Sequence, residues 1–394
     1  MQVKGFSAAA VKAGIRYQDR FDLGLIYSHT PAVTAGVFTT NSVKAAPVLI
    51  DMDRLRQGSV QAVLVNSGNA NACTGEAGME TALAISSLVA EQLAIKEELI
   101  QLASTGVIGE PIPFAPFEKN IQELVDRLSP DGLDDLAQAM MTTDTYPKTA
   151  FTTVDLDGKT VSILGVAKGS GMIMPDMATM LCFVVTDAQI VFPVLNSMVR
   201  EGVDKSFNRI TVDGDTSTND MVLVMANGAA GNSWIDEESP ATAQLFETAL
   251  HGVLHDLALQ IVKDGEGATK VVTIRIEGAR EQEEAMSAAQ TIANSALVKT
   301  AFFGEDANWG RIIAALGRSD SVFDQNKVSI AFDEVLLVEN GLALGAEAEK
   351  SASEVLKNKE FTVTVDLHEG LESTEVYTCD FSYDYVKINA DYRS

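Results

Sequence analysis

The chain has 394 residues and sets 55 Asp and Glu against 29 Lys and Arg, a net charge of −26. Phosphate backbones and anionic membrane surfaces therefore repel it at long range, and neither nucleic acid nor a membrane is an expected partner. Hydrophobic residues at 46% and charged residues at 21% are ordinary globular usage, which excludes disorder, collagen and low-complexity chains and leaves length for two or three domains.

The first residues carry Lys4, Lys12 and Arg16 between short apolar pieces, with no signal-peptide core and no Arg- and Ser-rich leader, so a bacterial-type cytoplasmic protein is expected. Alternating and β-branched apolar residues at 22–40 and 62–66 predict strands. Met79, Leu83, Leu88 and Leu93 stand at helical spacing within 76–94, and helices are also predicted at 117–128 and 132–141. Asp157-Gly158 predicts a tight hairpin turn between strands 151–156 and 160–166. A Gly- and Met-rich loop, KGSGMIMPDMATML from Lys168, runs into a strand at 180–186. Helices at 192–207 and 240–263 flank short strands at 210–212 and 221–226, and a further strand covers 270–277. The acidic piece 281–284 suggests a boundary and a C-terminal unit from residue 280, within which 339–345 reads as a surface loop.

The longest apolar runs, such as Met180 to Val185, fall far short of the ~18 to 20 residues of a membrane helix. Cys73, Cys182 and Cys379 are too few and too far apart for a disulfide framework or a C-x-x-C site. Cys182, inside an apolar run, reads as a small buried hydrophobe.

Motif by motif, most familiar chemistry drops out. His251 and His255 lie four apart on a predicted helix but lack the intervening Glu and a third ligand, so no metal is expected. No histidine stands beside a nucleophile candidate. The stretch Asp213 to Asp220 resembles a calcium loop by acid content, lacks the bidentate Glu, and reads as an acidic turn. Gly169-x-Gly171 and Gly265-x-Gly267 lack the third glycine of a dinucleotide fingerprint, and no nucleotide cofactor is expected. What survives is hydroxyl residues beside glycines or small residues: Ser104 to Gly109, Thr142 to Thr145, and Ala178-Thr179. Glycine lets a backbone N–H approach a developing oxyanion, and a hydroxyl donates a second hydrogen bond. Each cluster alone reads as readily as a turn or a helix cap. From residues alone the chain is a mixed α/β protein and an enzyme.

Seven blocks go further. SGNANACTG from Ser67, Ser104 to Gly109, KGSGMIMPDMATML, DGDTSTNDM from Asp213, DGEGATK from Asp264, DANWGR from Asp306 and the closing DYVKINADYRS from Asp384 together resemble the ornithine acetyltransferase family of arginine biosynthesis. They span nearly the whole chain, in family order. The resemblance implies an α/β fold, a layered α/β/β/α sandwich of the N-terminal-nucleophile type with a smaller C-terminal α/β domain. It implies self-cleavage between Ala178 and Thr179, so that 1–178 is the α chain and the first part of the sandwich, 179–279 begins the β chain and completes the sandwich, and 280–394 is the C-terminal domain, whose tail returns to the active site. Two copies of each chain, an α2β2 heterotetramer, are implied.

By the same resemblance, Thr179 is the nucleophile, with its new α-amine as base; Thr105 and Gly106 form the oxyanion hole; and Thr145, Lys168, Thr179, Glu266, Asn389 and Ser394 line the substrate pocket. The implied reaction carries an acetyl group from N-acetylornithine to glutamate through an acetyl-threonine, with no cofactor. Whether acetyl-CoA also donates stays open. An amidase or aminopeptidase of the same architecture, with water as acceptor, and an uncleaved binding protein are the alternatives.

Overall fold

The computed structural model describes residues 1–174 and 180–391. The chain forms two compact units: unit 1 is Met1–Met172, Asp176–Asn208 and Asp215–Ile261, and unit 2 is Ile173–Pro175, Arg209–Gly214 and Val262–Ser394.

Unit 1 runs β1 (Phe6–Val11), β2 (Leu23–Phe38), α1 (Ala46–Arg54), β3 (Ser59–Asn69), α2 (Gly75–Leu93), β4 (Ile100–Val107), α3 (Ala115–Asp126), α4 (Leu133–Ala139), β5 (Lys148–Leu156), β6 (Lys159–Lys168), β7 (Leu181–Thr186), α5 (Phe192–Asp204), β8 (Met221–Ala226) and α6 (Pro240–Lys263), at whose C-terminal end the chain passes into unit 2. Among the described residues the strands make one eight-stranded sheet, ordered β4-β3-β2-β8-β7-β6-β5 with β1 paired to β2. Its ladders are antiparallel except β3 with β4 and β7 with β8.

Successive residues of a strand face opposite ways, so the burial of β3 on both faces means that each face has a covering layer. Val63 and Val65 enter one apolar core together with Leu164 and Val166 of β6, Phe183 and Val185 of β7, and Leu223 and Met225 of β8. The two halves of the sheet thus face each other across a shared interior. Ala62 and Leu64 point the other way, against Ile85 and Val89 of α2 and Phe117 and Ile121 of α3. Beyond the other half lies α6: a Cβ placed on Gly165 of β6 would stand 2.6 Å from Leu257 Cδ1. A Cβ on Gly202 of α5 would stand 2.7 Å from both His251 and Leu254 of α6, which places α5 against the same helix. The order helix, sheet, sheet, helix is the layered α/β sandwich. The β5–β6 turn has Asp157 at φ 54° and Gly158 at φ 78°, the paired positive dihedrals of a tight hairpin, with Leu156 facing Lys159.

Unit 2 runs β9 (Val271–Ala279), α7 (Gln282–Ala293), α8 (Ala296–Phe303), α9 (Trp309–Leu316), β10 (Ser329–Phe332), β11 (Val335–Glu339), β12 (Leu342–Ala343), α10 (Ala346–Val355), β13 (Glu360–Asp366), β14 (Glu372–Cys379) and α11 (Tyr383–Ala390). Its sheet is ordered β12-β11-β10-β13-β9-β14. β9 lies just ahead of residue 280 in the chain and sits between β13 and β14, because its buried Val272, Ile274 and Ile276 need partners on both edges and a helix, α7, over one face. The strand expected at 210–212 is a single bridge, Ile210 to Tyr377. The loop expected at 339–345 carries β12, paired to β11. No helix among the described residues is long and apolar enough to cross a membrane.

Candidate active site

The centre of unit 1 is a buried cluster of charge where the ends of β4, β5 and β6 meet. Lys168, the last residue of β6, is 2% exposed, and its ammonium donates to the Thr142 hydroxyl at 2.9 Å and to the Thr105 hydroxyl on β4 at 3.3 Å. An ammonium only donates, so Thr105 accepts from Lys168 and its own O–H hydrogen is left to donate elsewhere. Accepting from a cation polarises that O–H and makes it a stronger donor. Thr105 and Lys168, two residues expected to serve one reaction, are thus in contact.

Asp144 compensates the lysine. Its carboxylate takes Lys148 at 2.7 Å, lies 3.9 Å from Lys168, and accepts from the backbone N–H groups of Gly169 at 2.7 Å and Thr142 at 3.0 Å. Burial pushes the Asp144 carboxyl up, but the charges of Lys168 and Lys148 and the two kinds of hydrogen bond outweigh it and hold the pKa at about 2. A buried ammonium held beside Thr105 suits a ligand that brings a carboxylate. Neither Asp144 nor Lys148 was singled out by sequence; the signal available was the hydroxyl-rich string at 142–145. Thr145, one residue on, is exposed.

Gly106 follows Thr105 where the parallel β3–β4 ladder slips register beside Gly68 and Asn69. A bulge of this kind re-aims backbone groups away from the regular ladder. Gly106 has φ 135°, and a Cβ there would lie 2.3 Å from the Gly68 carbonyl carbon, so no other residue fits. Behind it, Ser104 donates to Asn66 at 2.6 Å, and Asn66 donates to the Asn69 carbonyl at 2.9 Å, which fixes the ends of both strands.

On the opposite side of β7, Asp220, the residue ahead of β8, is fully buried and accepts the Met180 N–H at 2.9 Å. Burial pushes its carboxyl well above the usual range, against the Met180 hydrogen bond and the charge of Lys168. Cys182 on β7 is wholly buried, and burial pushes its thiol up, as expected of a packing residue. His251 donates to the Met198 carbonyl at 2.8 Å, a structural bond between α6 and α5.

Unit 2 brings together the other expected pair. Glu266, 6% exposed, accepts from the Asn389 side-chain amide of α11 at 2.7 Å. Ser382 caps α11 by accepting from Asp384 N–H at 3.2 Å and donates to the Gly267 carbonyl at 2.6 Å, which holds the helix start against the turn that carries Glu266. Gly267 has φ 68°, and a Cβ there would lie 2.5 Å from Tyr385 N. Asn389 is therefore anchored to Glu266, 123 residues before it, although it lies near the chain end. Ala178, Thr179 and Ser394 lie outside the described residues.

The ArgJ family model matches residues 7–394. The arginine biosynthesis bifunctional protein ArgJ of Desulfotalea psychrophila is 62% identical over 394 residues, 100% of each chain. The protein of that name from Geobacter sulfurreducens is 54% identical over 394 residues, again 100% of each. Among solved structures, the arginine biosynthesis bifunctional protein argJ from Bacillus halodurans is 43% identical, with a TM-score of 0.50, covering 53% of this chain and 97% of that one.

Proposed function

The chain belongs to the ArgJ family, and on that premise we propose that it moves the acetyl group of N-acetylornithine to glutamate through an acetyl-threonine on Thr179. It is an arginine-biosynthesis enzyme. A threonine hydroxyl is a poor nucleophile at neutral pH and needs a base beside it. Cleavage between Ala178 and Thr179 would create one, an α-amine with a reference pKa near ~8, on the same residue.

In the first half-reaction the Thr179 hydroxyl adds to the acetyl carbonyl and the α-amine takes its proton. The C–N bond then breaks, and ornithine leaves with that proton. In the second, the glutamate amine adds to the ester, the C–O bond breaks and the threonine hydroxyl is restored. Both steps put negative charge on the acetyl oxygen, and the polarised Thr105 hydroxyl with the Gly106 N–H would carry it. The observation that carries this reading is the Lys168–Thr105 contact, which ties a cation for the substrate carboxylate to an oxyanion donor. Thr145, Glu266, Asn389 and Ser394 are proposed as further substrate-binding residues, with Glu266 facing an ammonium group. The Bacillus halodurans chain, almost wholly covered while spanning about half of this one, supports a mature protein of two chains. We place it as an α2β2 assembly in the cytoplasm. Its relatives are named bifunctional, which supports a second activity, and acetyl-CoA is the second donor we propose.

Incubating the protein with N-acetylornithine and glutamate is expected to yield N-acetylglutamate and ornithine in equal amounts. Acetate alone would instead identify a hydrolase. Replacing Gly106 by alanine forces the ends of β3 and β4 apart and displaces a donor, so kcat is expected to fall by about 10²- to 10³-fold. Steady-state kinetics on the folded variant checks this, and an unchanged kcat would remove Gly106 from the oxyanion site.

A further inference from the structure

The acid-rich stretch that composition reads as a turn ends in two buried residues that hold the two arms of the reaction site. Asn219 donates through its amide to the carbonyls of Ser104 at 2.8 Å and Ala70 at 2.7 Å. The Ser104 carbonyl belongs to the peptide whose N–H is that of Thr105, so Asn219 pins the start of the oxyanion segment. Asp220 does the same for the other arm: Met180 N, whose hydrogen it accepts at 2.9 Å, is the amide nitrogen bonded to the carbonyl of residue 179. The segment is itself fixed, since Thr39 donates its N–H to the Asp220 carbonyl at 3.0 Å and its hydroxyl to the Ser217 carbonyl at 2.7 Å.

An ordinary structural carboxylate would use both oxygens. Asp220 has zero exposure, yet its Oδ2 makes no regular hydrogen bond among the described residues, with Ser217 a weaker polar neighbour of the carboxyl. Leaving a buried acceptor unmade is costly, and such atoms ask for an explanation in function. Lys168, the cation that reaches Thr105, is the charged neighbour that lowers the cost of ionising it; Asp144 and Lys148 stand behind Lys168.

We infer that Asp220 is a positioning residue for the acyl transfer, holding the nucleophile's chain through the Met180 amide. The inference rests on the reading of Thr179 as the nucleophile.

The test is Asp220→Asn in the full chain, which keeps an oxygen for the Met180 N–H and replaces Oδ2 by an NH2 group that cannot accept. Self-cleavage, followed on denaturing gels, is expected to slow at least about 10-fold, and kcat of the cleaved fraction to fall by about 10- to 100-fold, as for a reacting group misplaced by an ångström or less. The KM for N-acetylornithine is expected to stay within about 3-fold, since only transition-state interactions are lost. Parent-like cleavage and kcat would overturn the inference, as would a loss of activity matched by an equal rise in KM. Should Asp220→Asn not accumulate folded, Asp220→Ser is read by the same two rates against its thermal midpoint; folded protein with parent rates overturns the inference, and folded protein with both rates depressed supports it. A parent protein that neither cleaves nor transfers acetyl would defeat the acyl-transfer reading itself, which separates the two failures.

Discussion

Thr179→Ala is expected to accumulate as one chain of 394 residues and to transfer no acetyl group, whereas the parent is expected to resolve into residues 1–178 and 179–394. The two losses have one cause. Cleavage needs a hydroxyl to attack the Ala178 carbonyl and take the acyl group from nitrogen to oxygen, and transfer needs the same oxygen again. Alanine removes the nucleophile for both. It also keeps the α-amine locked in a peptide bond, so the base is never made. An oxyanion site without its nucleophile retains roughly 10³- to 10⁴-fold over water in other acyl-transfer enzymes, so slow background hydrolysis of N-acetylornithine to acetate is the most that survives. Denaturing gels and intact mass report the cleavage, and N-acetylglutamate formation reports the transfer. Thr179→Ser keeps a hydroxyl and is expected to cleave and turn over. A Thr179→Ala protein that still divides at this bond, or that still makes N-acetylglutamate, would place the nucleophile elsewhere.

The parts of this molecule that are legible in its sequence are those whose cause is local. Asp157-Gly158 forms the hairpin because two adjacent residues take positive φ, a property of those residues themselves. The helix at 240–263 is readable because its apolar spacing runs without interruption for 24 residues. The order of layers is not legible in the same way. A two-sided strand such as β3 shows only that something covers each face, and whether helix or sheet does so depends on partners a hundred residues away. The short piece at 210–212 has strand-forming residues, but its neighbours leave it a single bridge. The site divides along the same line. Thr105, Lys168, Glu266 and Asn389 carry meaning in the sequence only through a family resemblance. Asp144, Lys148 and Asp220 have no role assigned to them from the sequence, because a composition cannot tell a buried charge from an exposed one. Their burial comes from strands closing over them, and it is the burial that gives them chemical force.

That force sets the second large effect. Asp144→Asn is expected to destabilise the protein by about 3 to 5 kcal/mol, the usual cost of removing one member of a buried ion pair, because Lys148 at zero exposure and Lys168 at 2% lose the carboxylate that lies beside both ammonium groups. The pH dependence follows from the direction of the Asp144 shift. Its folded pKa of about 2 lies below the unfolded value of about 3.9, so the stabilisation is fully present above the unfolded value and is lost as pH falls toward 2. The variant, which has no proton to bind at this position, is expected to lose less stability over that acid window than the parent does, so their unfolding free energies converge as the pH drops. Denaturant unfolding at pH 7 and at steps below pH 4 measures both terms. A second substitution then separates charge from packing. Lys148→Met in the Asp144→Asn background removes one of the two buried ammonium groups beside the lost carboxylate and is expected to recover part of the loss, a coupling that neither substitution shows alone. Equal midpoints for parent and Asp144→Asn would mean that the buried pair is not what holds Lys168 against Thr105, and the oxyanion donor would then need another support.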